Sequence, residues 1–400
     1  MIGDEDLYDY SLTQSPNQKI LLIKGLKTLE NKEDSLYLSF HSVGENLQSL
    51  NQTLVKLPYP KSRITVRDFC VDNRGIPYLL LKVYDSDDGK LDVIKTKVEG
   101  SWRKKNTVNY HLEILTVNPY TGAFAINKLT LEDRLPKNFH LEAGPNNKVY
   151  CAGYYTSKDS KTGDVRGLFV WELEPITGVL RERYYPVPLE VMTQYEPPET
   201  QRAQARAALK GAAEVSGLDL NTIQFQSDNS LLINAEVFRI VTRSYMSNRQ
   251  LQSYRLYLHQ GIFATKINPD GTLAWINKIP KNQERLRTSD GIGYTYFSTP
   301  NRHYYLHMDH PKNTRLGKFD VPNTYKDGDF GNIVVATLDH QTGELDRDII
   351  IHTRKQRNSY NYRLSPFSHR KIIATTDGKA ILKFTLERKQ DVLMEVDMEE

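Results

Sequence analysis

One kind of turn recurs along this 400-residue chain. Asn118-Pro-Tyr-Thr-Gly122, Glu174-Pro-Ile-Thr-Gly178, Asn268-Pro-Asp-Gly271 and Asp339-His-Gln-Thr-Gly343 each offer a polar or proline-bearing start. Each ends in a glycine able to take positive φ. Strand-like runs rich in Val, Ile, Thr and aromatics flank every copy, such as Gly167–Leu173 and Asn332–Leu338. A second turn class lies upstream of each first: Asp72-Asn-Arg-Gly75, Pro145-Asn-Asn147, Ser227-Asp-Asn229 and Pro300-Asn-Arg302. The unit is strand, tight turn, strand, variable loop, strand, glycine turn, strand. Its turns start at 118, 174, 268 and 339, spacings of 56, 94 and 71. The 94-residue interval holds one insertion.

Four antiparallel strands repeated at this period predict an all-β fold, a β-propeller of six four-stranded blades in one domain spanning 1–400. The expected blades are 5–58, 60–132, 138–188, 218–281, 291–353 and 360–398, the last the least regular. Five or seven blades stay open, and two stacked sandwiches are the competing all-β arrangement. The insertion, 189–217, predicts one helix near 199–215, because Pro197-Pro198 precedes an Ala-, Gln- and Arg-rich run and Ser216-Gly217 follows it. Strand alternation puts the long segments 85–110, 157–166, 189–217, 244–256 and 308–330 on one face. That loop-rich face is the expected binding surface.

Composition narrows the function classes. A net charge of +4 argues against a general polyanion binder, so nucleic acid is not expected as a partner. Two cysteines, Cys70 and Cys151, exclude a disulfide scaffold and are expected as buried free thiols. No apolar run approaches the ~18 residues of a membrane-spanning helix. No phosphate-binding loop, nucleophile elbow or zinc-protease motif is present, and no cofactor is expected.

Several side chains invite chemistry. His303, His307, Asp309 and His310 suggest a metal cluster, but on a strand His303 and His307 lie ~13 Å apart, too far to share one ion. No metal is therefore assigned. Asp85–Gly89 and Asp327–Asn332 resemble calcium loops without the closing glutamate and read as solvated loops. Trp102–Lys105 with Lys95 and Lys97 forms a local basic patch. Asp309, His310 and Asn313, at a loop root, are the first candidates for ligand binding. Glu236 and Arg239, flanking Val237-Phe238, are expected either to pair internally or to line the central channel.

Four segments carry a family resemblance. Val71–Tyr84 is similar to a VDNDGNVYLLGKVY pattern, and Ile267–Gln283 to INPDGTIEWAKKIPKxQ. Cys151–Tyr155 is similar to CAGFYS, and Met308–Asn313 to FNDNPKN, departing from it at Met308-Asp309-His310. Together, over about residues 5–386, they resemble a family of exported propeller-like proteins of Bacteroidota bacteria to which no activity is attached. The acidic start Met1–Asp6, with no apolar stretch, favours the cytoplasm on its own, whereas the resemblance implies an extracytoplasmic location, in the periplasm or on the outer surface, and a signal peptide upstream of residue 1. The expected function is a non-enzymatic, monomeric binding or scaffold propeller of the cell envelope, engaging a protein or glycan. The alternative is a propeller glycosidase or lyase with carboxylates at the channel mouth.

Overall fold

The structure, a computed structural model, describes residues 8–27, 34–86, 90–97, 104–129, 134–158, 160, 163–247, 250–287, 292–326, 331–352, 372–374, 379–385 and 391–397. It is all-β and of the propeller type: among the described residues six meander sheets follow one another, four of them with the expected four strands and one that adds a parallel strand to its four. The chain divides into two compact units, Met1–Pro186 with Ile223–Phe225, and Val187–Thr222 with Gln226–Glu400.

In the first unit, β1 (Tyr8–Gln14), β2 (Ile20–Lys27), β3 (Ser35–Gly44) and β4 (Ser49–Pro60) form one sheet. The second holds β5 (Ile64–Val71) and β6 (Pro77–Tyr84), then a separate hairpin, β7 (Val93–Lys97) and β8 (Lys104–Val108), then β9 (Tyr110–Val117) and β10 (Phe124–Leu129). The third holds β11 (Arg134–Ala143), β12 (Val149–Ser157), β13 (Gly167–Glu174) and β14 (Val179–Pro186). Every residue of β6 is buried because neighbouring sheets cover both of its faces. Tyr78 and Leu80 pack with Leu141, Cys151 and Trp171 on one side. Leu79, Leu81 and Val83 pack with Leu38, Phe40 and Val55 on the other. Two-sided burial is why Tyr78–Tyr84 reads as a nearly unbroken apolar run instead of alternating. Each such side chain contributes ~1.5–3 kcal/mol. Cys70 and Cys151 are buried and free, and burial holds both thiols well above their ordinary pKa.

The second unit opens with two helices, α1 (Leu189–Thr193) and α2 (Pro198–Ala208). The expected single helix to 215 therefore stops at 208. Gly211 takes φ +62°, and the Ala212 amide donates back to the Ala207 carbonyl at 2.9 Å. This left-handed cap ends the helix whatever the propensity of Ala212-Ala213. No residue of α2 is buried.

Next come β15 (Leu218–Phe225), β16 (Leu231–Ser247), β17 (Gln250–Ile267) and β18 (Leu273–Leu286). The fifth sheet is β19 (Thr295–Ser298), β20 (Arg302–Asp309), β22 (Asn332–Asp339) and β23 (Leu345–His352). Its inserted strand β21 (Tyr325–Lys326) pairs in parallel with β18 instead. The last sheet has three described strands, β24 (Ile372–Ala374), β25 (Lys379–Thr385) and β26 (Asp391–Asp397). Leu232, Ile262, Trp275 and Ile279 pack on Tyr305, Ala336 and Leu338. The repeating turns close as expected: the Gly122, Gly178 and Gly343 amides donate to the carbonyls of Asn118, Glu174 and Asp339 at 2.8–3.0 Å. Among the described residues no helix is long and apolar enough to cross a membrane.

Candidate functional site

Of the segment 244–256, expected as a loop, 244–247 and 250–256 are strand. β16 and β17 pair from Leu231↔Ile267 out to Ser247↔Gln250, with one register shift between Glu236 and Phe238, and β18 follows them to Leu256↔Leu286. The three strands leave the sheet as a ribbon. β15 does not follow: it starts at Leu218, and the Phe238 amide donates to the Gly217 carbonyl at 2.8 Å. Beyond that bond, 239–247 of β16 have no strand on their outer side among the described residues. Ile240, Tyr245, Met246, Leu251 and Leu286 on the ribbon are 49–72% exposed. Arg239, Arg243, Arg255, Arg285 and Arg287 belong to it, with Glu284 its one carboxylate among the described residues.

The ribbon is rooted on buried charge. At its base β17 bulges at Gln260-Gly261. A Cβ on Gly261 would stand 2.9 Å from the Lys278 side chain. Glu236, 3% exposed, accepts from Lys281 and lies 2.8 Å from His259 Nδ1. Burial alone would raise its carboxyl, but Lys281 and His259 overrule that and hold it low. Glu236 thus has an internal partner, but not Arg239. Strand alternation puts Arg239 on the opposite face of β16, where it is exposed and donates to Gln260.

Asp309 and Asn313 also face inward, each 1% exposed. Asp309 accepts from the His310 amide (2.8 Å), Asn313 Nδ2 (2.7 Å) and the Arg347 guanidinium (2.5 Å). Burial raises its carboxyl despite Arg347. Asn313 closes the loop that follows: its Oδ1 accepts from the Asn323 amide at 2.8 Å, and its Nδ2 donates to the Asn323 carbonyl at 2.9 Å. His310 caps the short 3-10 turn Pro311–Asn313, its Nδ1 accepting from the Lys312 amide. These residues support a loop, so substituting them is expected to cost stability. Lys278 ties the helical segment to the same region, donating to the Gln194 carbonyl (2.8 Å) and Glu196 (2.6 Å).

A second cluster lies in the first unit, on the opening strands of two sheets. β5 packs against β11, and both are bulged, between Val66 and Asp68 and between Pro136 and Phe139. Bulges re-aim side chains and recur beside functional sites. Asp68 accepts from the Leu141 amide (2.9 Å) and lies 3.1 Å from His140 Nδ1, whose pKa that contact raises. Beside them stands Glu142, which burial and then the Asp68 charge push up to about 7. Lys24 caps the Phe69 ring at 4.2 Å, and the Arg67 guanidinium lies 5.5 Å from the Phe139 ring.

Sequence reasoning did not find this cluster, because Asp68 and Glu142 meet only through the packing of two sheets. It also missed a polar chain in the second unit that runs from the exposed Asp228 to the buried His340 and His303. Asp228 Oδ2 lies 2.8 Å from His340 Nε2, and His340 Nδ1 lies 3.0 Å from His303 Nε2. His303 Nδ1 meets the Tyr296 hydroxyl at 3.1 Å. Lys266 donates to the His340 carbonyl at 2.9 Å. Burial pulls His303 down to about 4. Lysines at buried positions in the apolar run Trp275–Lys281 were the readable signal for Lys278 and Lys281. Among the described residues no group of three or more His, Cys, Asp or Glu could hold a metal ion. The Asp85–Gly89 and Asp327–Asn332 loops and the Trp102–Lys105 patch fall wholly or partly outside the described residues.

No family model matches the chain, and no curated protein does. Among solved structures it is similar to the polysaccharide lyase Uly1, with TM-score 0.35 and 9% identity over 100% of this chain and 94% of that one. It is similar to a protein of unknown function from Dyadobacter fermentans, with TM-score 0.32 and 9% identity over 87% and 96%. A xylan β-1,4-xylosidase from Bacillus halodurans gives TM-score 0.28 and 10% identity over 98% and 90%.

Proposed function

We propose that the protein is a binding propeller of the cell envelope, and that its ribbon takes an extended acidic segment of a protein partner by strand addition. The observation that supports this is the outer edge of β16 at 239–247, which has no neighbouring strand among the described residues. Such an edge offers unpaired backbone donors and acceptors to an incoming strand. Five arginines against one carboxylate among the described residues of the ribbon favour an acidic partner. The exposed Tyr245, Met246 and Leu251 add apolar area at the tip. The extracytoplasmic location follows from the family resemblance, and cell fractionation tests it. The binding test is titration of an eight-residue peptide, alternating valine and threonine with glutamate ends, into the protein and into a variant with 243–252 replaced by a two-residue turn. The reading expects binding that weakens with salt and is lost in the shortened variant, with thermal stability unchanged. Equal binding by both forms would contradict it.

A second reading, acid–base chemistry on a glycan, is favoured by Glu142 beside Asp68. A carboxyl held at about 7 can donate a proton at neutral pH. Reducing-end release from a polysaccharide panel, abolished by Glu142→Gln, is the expected outcome of this reading. No release from any polysaccharide by the wild-type protein would remove it.

A further inference from the structure

The second unit contains a cleft of about 670 Å³, within the ~300–1,000 Å³ of small-molecule sites. One wall is the loop that Asn313 closes, carrying Arg315 and Lys318. The turn between β22 and β23 and the start of β23 also line it, with Glu344 and Asp346. Tyr195 lines it as well. Gly343, at φ +70°, packs so closely that an added Cβ would stand 2.7 Å from the Trp275 ring.

Tyr195 itself holds φ +62°. Non-glycine residues rarely adopt this region, aromatic ones least of all, and such strain concentrates where a ligand is gripped. Its amide donates to the Lys318 carbonyl at 3.1 Å, which ties the tyrosine to the loop wall. Burial raises its phenol despite the nearby Arg347. The hydroxyl therefore stays protonated as a donor at neutral pH.

The charges decide the ligand class. Two lining cations are already engaged: Lys278 by Glu196 and Arg347 by Asp309. Arg315 and Lys318 remain, exposed, against the exposed Glu344 and Asp346. An anionic ligand would meet as many carboxylates as cations. A ligand whose groups both donate and accept satisfies the two together, and sugar hydroxyls do so. A tyrosine ring lining the cleft offers a stacking surface for a sugar face.

We propose that this cleft binds a neutral oligosaccharide, with Tyr195 as the stacking residue, Asp346 and Glu344 as acceptors and Arg315 as donor. The site is separate from the ribbon edge and lies in the other unit from Asp68 and Glu142, so it stands or falls without either. Calorimetric titration of the full chain with cellohexaose, xylohexaose and mannohexaose tests it, with hexagalacturonate as the charged control. The proposal expects at least one neutral hexasaccharide to bind and hexagalacturonate to bind at least tenfold more weakly. Tyr195→Asn, which tolerates the positive φ, and the exposed Asp346→Asn should each weaken binding tenfold or more with an unchanged melting temperature. Absence of binding by all three neutral sugars, preference for hexagalacturonate, or full retention of binding in both variants would each overturn it. Retention in Glu142→Gln is expected, and loss there would move the sugar to the first unit and overturn the assignment.

Discussion

Lys281 is fully buried, with Glu236 as its counter-ion. Removing one partner of such a pair leaves the other charge without water or compensation. Lys281→Met should therefore lower unfolding stability by ~3–5 kcal/mol, and the double variant with Glu236→Gln should recover part of the loss. Urea denaturation reads both; equal stability of wild type and Lys281→Met would contradict the ion pair. Glu142 behaves oppositely to an ordinary carboxylate. Its folded pKa lies at about 7 against an ordinary value of 4.5, so between those values the native state keeps a proton that the unfolded chain releases. The stability it contributes is complete below 4.5 and lost as pH rises through about 7. His303, pulled from 6.5 to about 4, works in the other direction and loses stability as pH falls through that window. The wild-type curve mixes the two. The difference between wild type and Glu142→Gln should fall with rising pH over Glu142's window, and a flat difference in melting temperature would contradict its placement.

Among the elements, the opening strands of the second and third sheets carry their functional interest in irregularity. The bulge of β11 is accommodated by Gly153 on β12, where a Cβ would stand 2.1 Å from the Asn138 carbonyl. Gly153→Ala should destabilise by ~1–3 kcal/mol or more through overpacking, read as a lower melting temperature. A smaller effect at Gly153 would contradict the tight closure. Turns were the legible elements. Asn118–Gly122, Glu174–Gly178 and Asp339–Gly343 close as the residues dictate, because their hydrogen bonds are local. The ribbon was not legible as strand: Arg243-Ser-Tyr-Met-Ser-Asn-Arg-Gln250 is polar and lacks an apolar alternation, since the ribbon has no core to face. The helix was over-extended to 215 because Gly211 sits inside an alanine-rich stretch that otherwise favours continuation.

At the scale of the whole molecule, the all-β class and its successive four-stranded meander sheets were readable from turn chemistry and strand composition. The sites were less so. Asp309 and Asn313 were found by their place at a loop root, yet they hold the loop from within. Asp68 with Glu142, and Asp228 with His340, come from different sheets, and spacing along the chain does not encode which sheets meet. The ribbon edge is where these observations converge on function, and hydrogen–deuterium exchange tests it most directly. With the glutamate-ended valine–threonine peptide present, amides of 239–247 should exchange more slowly, while its lysine-ended counterpart gives no protection there. Unchanged exchange across 239–247 with the acidic peptide bound, or equal protection by both peptides, would contradict strand addition at β16.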